Sequence, residues 1–193
     1  MERPEKTVLG TLTAQMPAFT AERLVEEAQA YSQDAWAHIY DRHYPKMVQY
    51  CYLRTGNRAG SEDLASEVFL EALKGIRRYR YRGVPLSAWL YRIARNLTAD
   101  FQRRNARKPT VPLGEEPDHS QLQTPDAADS SALRHDMRAA ILQLTEDQQQ
   151  VIILRFFQGL THEETAAIMG RRGGAVRVLQ NRALSALRRL VAA

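Results

Sequence analysis

The chain has 193 residues, enough for one or two domains with real cores, and a formal net charge of +5. With a pI near 9.6, that balance favours a polyanionic partner. One cysteine, Cys51, excludes an internal disulfide and suits a reducing compartment; no apolar run is long enough to span a bilayer, and Met1 to Phe19 lacks a signal-peptide core, so a cytoplasmic protein without stable membrane insertion is expected.

Residues 1–19 carry two prolines and no periodicity and read as a flexible N-terminal extension. From Thr20 the pattern is helical almost throughout. A first helix is expected near Thr20 to Tyr31, and Ser32 caps a second carrying Trp36, Ile39 and Tyr40. Another is expected after Pro45, through Met47, Val48, Tyr50, Cys51 and Leu53, stopping at Gly56. His38, Asp41 and His43 suit no common metal site on one helix face and read as ordinary histidines.

From Ser61 to Arg77, Ala65, Val68, Phe69, Ala72 and Ile76 share a core face, opposite Asp63, Glu67, Leu70, Glu71 and Lys74. Acids near a helix N-terminus complement its dipole, which is reason enough for Asp63 and Glu67. Leu70 among them fits either a solvated face or a docking surface with an apolar anchor and a polar rim. A basic-aromatic loop follows: Tyr79, Arg80, Tyr81, Arg82, Gly83, Val84. Pro85 then opens a helix reaching roughly Arg104, with Leu86, Leu90, Ile93, Leu97 and Phe101 as its buried stripe. Arg92, Asn96, Ala99 and Arg103 lie opposite, with Arg95 beside them and Trp89 at the border. Charge for phosphates next to a π-face for unstacked bases is what single-stranded nucleic acid needs; core-edge aromatics beside a solvated basic face would produce the same pattern.

Pro109, Pro112, Pro117 and Pro125 prevent helix across 105–131, a linker basic at first and then acidic, long enough to let its flanking domains engage sites tens of ångströms apart. The final domain, 132–193, begins with a helix through Leu133, Met137, Ala140, Ile141 and Leu144. Thr145 with Gln148, and Thr161 with Glu164, are capping-box starts; Gly159 and Gly170 are stops. A third helix carries Val176, Leu179, Ala183, Leu187 and Leu190, completing a helix-turn-helix in which the small Ala166 permits close crossing. Arg171, Arg172, Arg177, Arg182, Arg188 and Arg189 lie on or beside it without an intervening acid. Gln180 and Asn181 sit among them, and side chains of these types read base edges in a major groove.

The order of these parts resembles a bacterial RNA polymerase sigma factor of the sigma-70 family, in its small extracytoplasmic-function (ECF) group. The resemblance covers about Ala35 to Leu190 and rests on Ser-Glu-Asp-Leu-Ala-Ser-Glu-Val-Phe-Leu (61–70), Pro-Leu-Ser-Ala-Trp-Leu-Tyr-Arg-Ile-Ala-Arg-Asn-Leu-Thr-Ala-Asp (85–100), Gly-Leu-Thr-His-Glu-Glu-Thr-Ala-Ala-Ile-Met-Gly (159–170) and Gly-Ala-Val-Arg-Val-Leu-Gln-Asn-Arg-Ala-Leu (174–184). It implies an all-α chain of two helical domains, 20–104 and 132–193, joined by the flexible linker 105–131. Asp63, Glu67 and Leu70 would dock on the β′ coiled coil of core RNA polymerase, the β subunit being a further partner. Tyr79, Arg80, Tyr81, Arg82, Trp89, Arg92, Asn96 and Arg103 would recognise and hold the melted −10 strand of promoter DNA. Arg171, Arg172, Arg177, Gln180, Asn181 and Arg182 would read the double-stranded −35 element. The linker's acids would thread the polymerase channels. An anti-sigma factor is a family expectation that no residue identifies, and no cofactor or catalytic residue is implied.

Three features depart from the family pattern. Ser66 stands where the family usually has glutamine, Arg172 replaces a Ser-type N-cap with Gly173 and Gly174 weakening the turn that follows, and residues 1–19 match nothing general in the family. Two other classes stay open: a helix-turn-helix repressor or activator working without polymerase, which leaves Leu70 and the aromatic loop idle, and a nucleic-acid enzyme. Against the enzyme, the sequence has no paired carboxylates in a plausible pocket, no glycine-rich phosphate loop and no Cys/His ligand set.

Overall fold

The computed structural model describes residues 19–81, 83–106 and 136–191. These are helical without a strand among the described residues. Of the expected extension 1–19 only Phe19 is described, and of the expected linker 105–131 only 105–106, which continue α4; Arg82 and residues 132–135 also lie outside the described residues. Helix α1 (Ala21–Gln29) starts at Thr20, whose hydroxyl accepts from Arg23 N, and α2 (Gln33–Thr55) starts at Ser32. Helices α3 (Arg58–Gly75) and α4 (Leu86–Ala106) complete the first bundle, α2, α3 and α4 packing on one another and α1 on α2. The second unit comprises α5 (136–142), α6 (Glu146–Ile152) continued by a π turn (Ile153–Phe157), α7 (His162–Met169) and α8 (Gly173–Val191).

Two helix boundaries differ from the sequence reading. Pro45 does not separate two helices: α2 runs through it. The missing N–H costs a bond, but Asp41 and Pro45 are both exposed, so water reaches the freed carbonyl. Buried Ile39, His43, Met47 and Tyr50 keep one face packed on both sides of the proline. Helix α3 begins one turn before Ser61, because Gly56 closes α2 in the left-handed region (φ 74°) and Asn57 caps α3 at once, accepting from Gly60 N at 2.9 Å.

The expected core face of α3 is buried at all five positions, Ala65, Val68, Phe69, Ala72 and Ile76. On α4, Leu86 and Leu90 are buried and Ile93, Leu97 and Phe101 pack against the core, but a second face, Tyr91, Ala94 and Thr98, is buried as well. Helix α7 of the second unit packs on α4. In this structure the two units are therefore joined across a seam.

His43 is buried with no hydrogen-bond partner for Nδ1. Loss of hydration, then the Arg42, Lys46 and His38 charges, lower its pKa to about 4. A neutral histidine below its unfolded value of about 6.5 contributes stability that is complete above that pH and is lost as pH falls toward 4, because the unfolded chain then binds the extra proton. Chemical denaturation at pH ~7 and ~5 should show a loss on the order of 2 kcal/mol that His43→Met removes. An equal loss in both proteins would assign the acid sensitivity elsewhere.

Candidate nucleic-acid interface

The loop after α3 is held from two sides. Gln29 Nε2 donates to Ile76 O (3.1 Å) and Tyr79 O (2.8 Å), fixing the 3₁₀ turn Ile76–Arg78 and the first loop residue to α1. Arg77 lies 5.1 Å over the Tyr31 ring, and the Tyr79 hydroxyl donates to Val84 O at 3.2 Å. The Tyr79 and Trp89 rings meet at 4.9 Å and 35°. Burial, then Tyr81, raises the Tyr79 phenol above its ordinary pKa. Gly75 belongs to the same arrangement, since a Cβ there would stand 3.2 Å from the Trp89 ring. Tyr79, Tyr81 and Trp89 are half-buried, whereas Arg80, Arg92, Asn96 and Arg103 are exposed, Arg103 in an ion pair with Asp100. The loop and one face of α4 thus bring seven of the eight −10 candidates together.

That surface meets the second unit. Ala167 of α7 shares a cleft with Tyr79, Trp89 and Arg92, and Glu146 shares another with Asn96 and Arg103. Arg95 lies 3.9 Å from both Glu146 and Asp147. Beneath these contacts the seam is polar and buried. The Arg54 side chain is fully buried, donating to Gln149 Oε1 (3.1 Å), Glu146 O (3.4 Å) and Gln102 Oε1 (3.4 Å), with the Glu146 carboxylate at 3.5 Å. Tyr50 donates to Gln150 Oε1 at 2.6 Å; burial pushes its phenol up to about 12. Tyr91 donates to Gln158 Oε1 at 2.7 Å, and Gln158 Nε2 donates to Gln49 Oε1 at 3.1 Å. The π turn delivers that glutamine, Gln158 N bonding to Ile153 O at 3.0 Å.

The helix-turn-helix forms as the caps require. Glu164 N donates to Thr161 Oγ1 (3.1 Å), Thr161 N donates to Glu164 Oε2 (2.8 Å), and Gly170 takes φ 64°. Arg172, Arg177, Asn181 and Arg182 are exposed. Two further candidates are engaged inside the unit: Arg171 pairs with Asp147, and the half-buried Gln180 accepts from Arg155 Nε at 3.1 Å. Helix α8 is regular from Gly173 despite its glycine pair.

On α3, Asp63, Glu67 and Leu70 are all exposed, Leu70 by 56 %. Leu73 and Tyr40 extend the apolar surface, Tyr40 stacking on Tyr44 (4.6 Å) and tilting on Phe69 (4.9 Å). Ser66 turns its hydroxyl back to Glu62 O, 2.9 Å away. Sequence reasoning missed Gln29, the seam residues, Tyr40 and Leu73; the three consecutive glutamines 148–150 just before the apolar run Val151 to Leu154 were the one signal of a polar seam.

Two family profiles match, Sigma-70 region 2 over residues 39–108 and Sigma-70 region 4 over residues 140–189. The ECF RNA polymerase sigma factor ShbA of Streptomyces griseus is 35% identical over 201 residues, covering 98% of each chain. This chain belongs to the ECF sigma factors. BldN of Streptomyces coelicolor, in the same group, is 40% identical over 172 residues, 87% of this chain and 64% of that protein. The structure of the sigma factor RpoE in complex with the anti-sigma factor NepR from Bartonella quintana, 22% identical, superposes with a TM-score of 0.62 over 80% of this chain and 95% of that one, a likeness of fold. Like its relatives, the chain is a promoter-directing transcription initiation factor. Among the described residues no helix is long and apolar enough to cross a membrane, and no group of His, Cys, Asp or Glu is placed to hold a metal.

Tyr91→Phe leaves the Gln158 amide oxygen buried without a donor, and the urea midpoint should fall by the equivalent of about 1–3 kcal/mol. Tyr31→Phe, at an exposed ring, should leave it unchanged. Equal midpoints for the two variants would mean that the buried bond adds nothing to stability.

Proposed function

We propose that this sigma factor works through three surfaces, and that residues 20–104 and 132–193 are the units bearing them, with 105–131 as the linker. Asp63, Glu67 and Leu70 dock on the β′ coiled coil of core RNA polymerase, Leu70 as anchor and the acids as rim. Tyr79, Arg80, Tyr81, Arg82, Trp89, Arg92, Asn96 and Arg103 hold the non-template strand of the −10 element. Arg171, Arg172, Arg177, Gln180, Asn181 and Arg182 serve the −35 element. The protein acts in the cytoplasm, as a binding factor and not an enzyme, and a partner of the anti-sigma class covers these surfaces when transcription is not wanted.

The observation that carries the reading is the Tyr79–Trp89 pair braced by Gln29 and Gly75, with Arg92, Asn96 and Arg103 exposed along the same helix. A duplex-binding repressor has no use for a rigid aromatic platform beside a basic track. Single-stranded DNA uses both: phosphates follow the arginines while an extruded base stacks on the rings, offsetting the few kcal/mol that unstacking costs. Docking on polymerase supplies the binding energy that draws the two units apart at the seam. Trp89 and Asn96 then leave their clefts with Ala167 and Glu146, and the linker sets the distance between the −10 and −35 surfaces.

Run-off transcription with bacterial core polymerase on a promoter library tests this directly. Initiation should depend on the protein and come from templates sharing two spaced motifs, and Trp89→Ala should abolish opening while sparing duplex binding. Asn181→Ala should change −35 preference, whereas Arg188→Ala should weaken all −35 variants alike. Duplex binding without any initiation would transfer the chain to the repressor class.

A further inference from the structure

Helix α8 has an outward face more ordered than its arginine count suggests. At about 100° per residue, Gly174, Val178, Asn181 and Ser185 fall within an arc of about 60° opposite the buried Val176, Ala183 and Leu187, and all four are exposed. Arg177 and Arg188 border this stripe on one side, Arg182 and Arg189 on the other, all exposed. The centre is short and uncharged; the edges are long and cationic.

Two members of the stripe are poor choices for an exposed helix. Glycine and β-branched valine both disfavour helix, and nothing among the described residues asks for either. A Cβ added at Gly174 would meet no atom within 4 Å, and its φ is not in the left-handed region. Val178 is 52 % exposed. Lying one turn apart on the same face, they mark a place where something outside approaches the backbone closely and offers an apolar group. In the major groove, the only apolar group on a base edge is the thymine 5-methyl.

We infer that Gly174, Val178, Asn181 and Ser185 form the base-reading row of α8, with Val178 packed on a thymine methyl group, while the flanking arginines clamp phosphates on either side of the groove. This rests on the reading of α8 as the −35 recognition helix. Within it, specificity moves from the arginines to the short central row: Val178 reads one A·T pair by its methyl, and Gly174 lets the helix enter deeply enough for that contact.

The test uses holoenzyme and the most active promoter from the run-off library, each −35 thymine of either strand replaced singly by deoxyuridine, which removes only the methyl. The wild type should lose about fourfold in affinity at one position, the worth of one buried methyl group (~0.8 kcal/mol). Val178→Ala should bind the thymine and deoxyuridine templates equally there. Gly174→Ala should raise the thermal midpoint yet weaken binding. The inference is overturned if −35 base substitutions matter but no deoxyuridine position separates wild type from Val178→Ala, or if Gly174→Ala binds as well as wild type. Indifference of the wild type to every −35 substitution would bring down the recognition-helix reading itself.

Discussion

Arg54 is the interaction on which the arrangement of this molecule depends. A guanidinium with no exposure to water has its two terminal nitrogens held by Gln102 from α4 and by Gln149 and the Glu146 carbonyl from α6, with the Glu146 carboxylate beside it, while its Nε finds no partner among the described residues. A buried charge is tolerated when its hydrogen bonds are met and is costly when they are not. The partners come from both units, so separating the units also requires hydrating the charge. That makes the seam specific without making it permanent. Tyr50 with Gln150, and Tyr91 with Gln158, repeat the logic with neutral groups whose donors return to water at little net cost.

The consequence for function lies in what the seam leaves open. Leu70 and the outward face of α8 are exposed in the packed arrangement, while Trp89, Arg92 and Asn96 line clefts shared with the second unit. On the proposed reading, the packed chain leaves the polymerase-docking surface and the −35 helix open, while the −10 surface, though its Arg92 and Asn96 are exposed, borders the second unit. A polar, water-compatible seam suits the proposed separation of the two units on polymerase. An apolar seam of equal area would resist opening through the hydrophobic effect and expose a sticky surface once opened.

The sequence was informative where the physics is local. The core faces of α3 and α4 follow from helical periodicity, and the caps at Thr161 and Gly170 act within four residues of themselves. The exposure of Leu70 follows from its place on the wheel. What was not legible is long-range and polar. Tyr91, Ala94 and Thr98 lie outside the stripe that helical periodicity marks as buried, and they form a second buried face because α4 packs on both α2 and α7. Hydrogen bonds spanning 67 to 109 residues, Tyr91 to Gln158 and Gln158 to Gln49 among them, leave no period in the chain. Pro45 failed as a boundary because tertiary packing on both sides outweighed one absent bond. Gln180 sits beside Asn181 in sequence, yet it turns toward Arg155.

The central claim is that the two units are packed when the protein is alone and separate on polymerase. Spin labels at Glu22→Cys and Val191→Cys, both exposed, leave the three proposed surfaces untouched, and Cys51 is buried, its thiol pushed up to about 12, so it resists labelling. Pulsed dipolar spectroscopy should give one narrow distance for the free protein and a different, longer one, with the first component lost, after addition of core RNA polymerase. Persistence of the free-protein distance in the active holoenzyme would contradict the account.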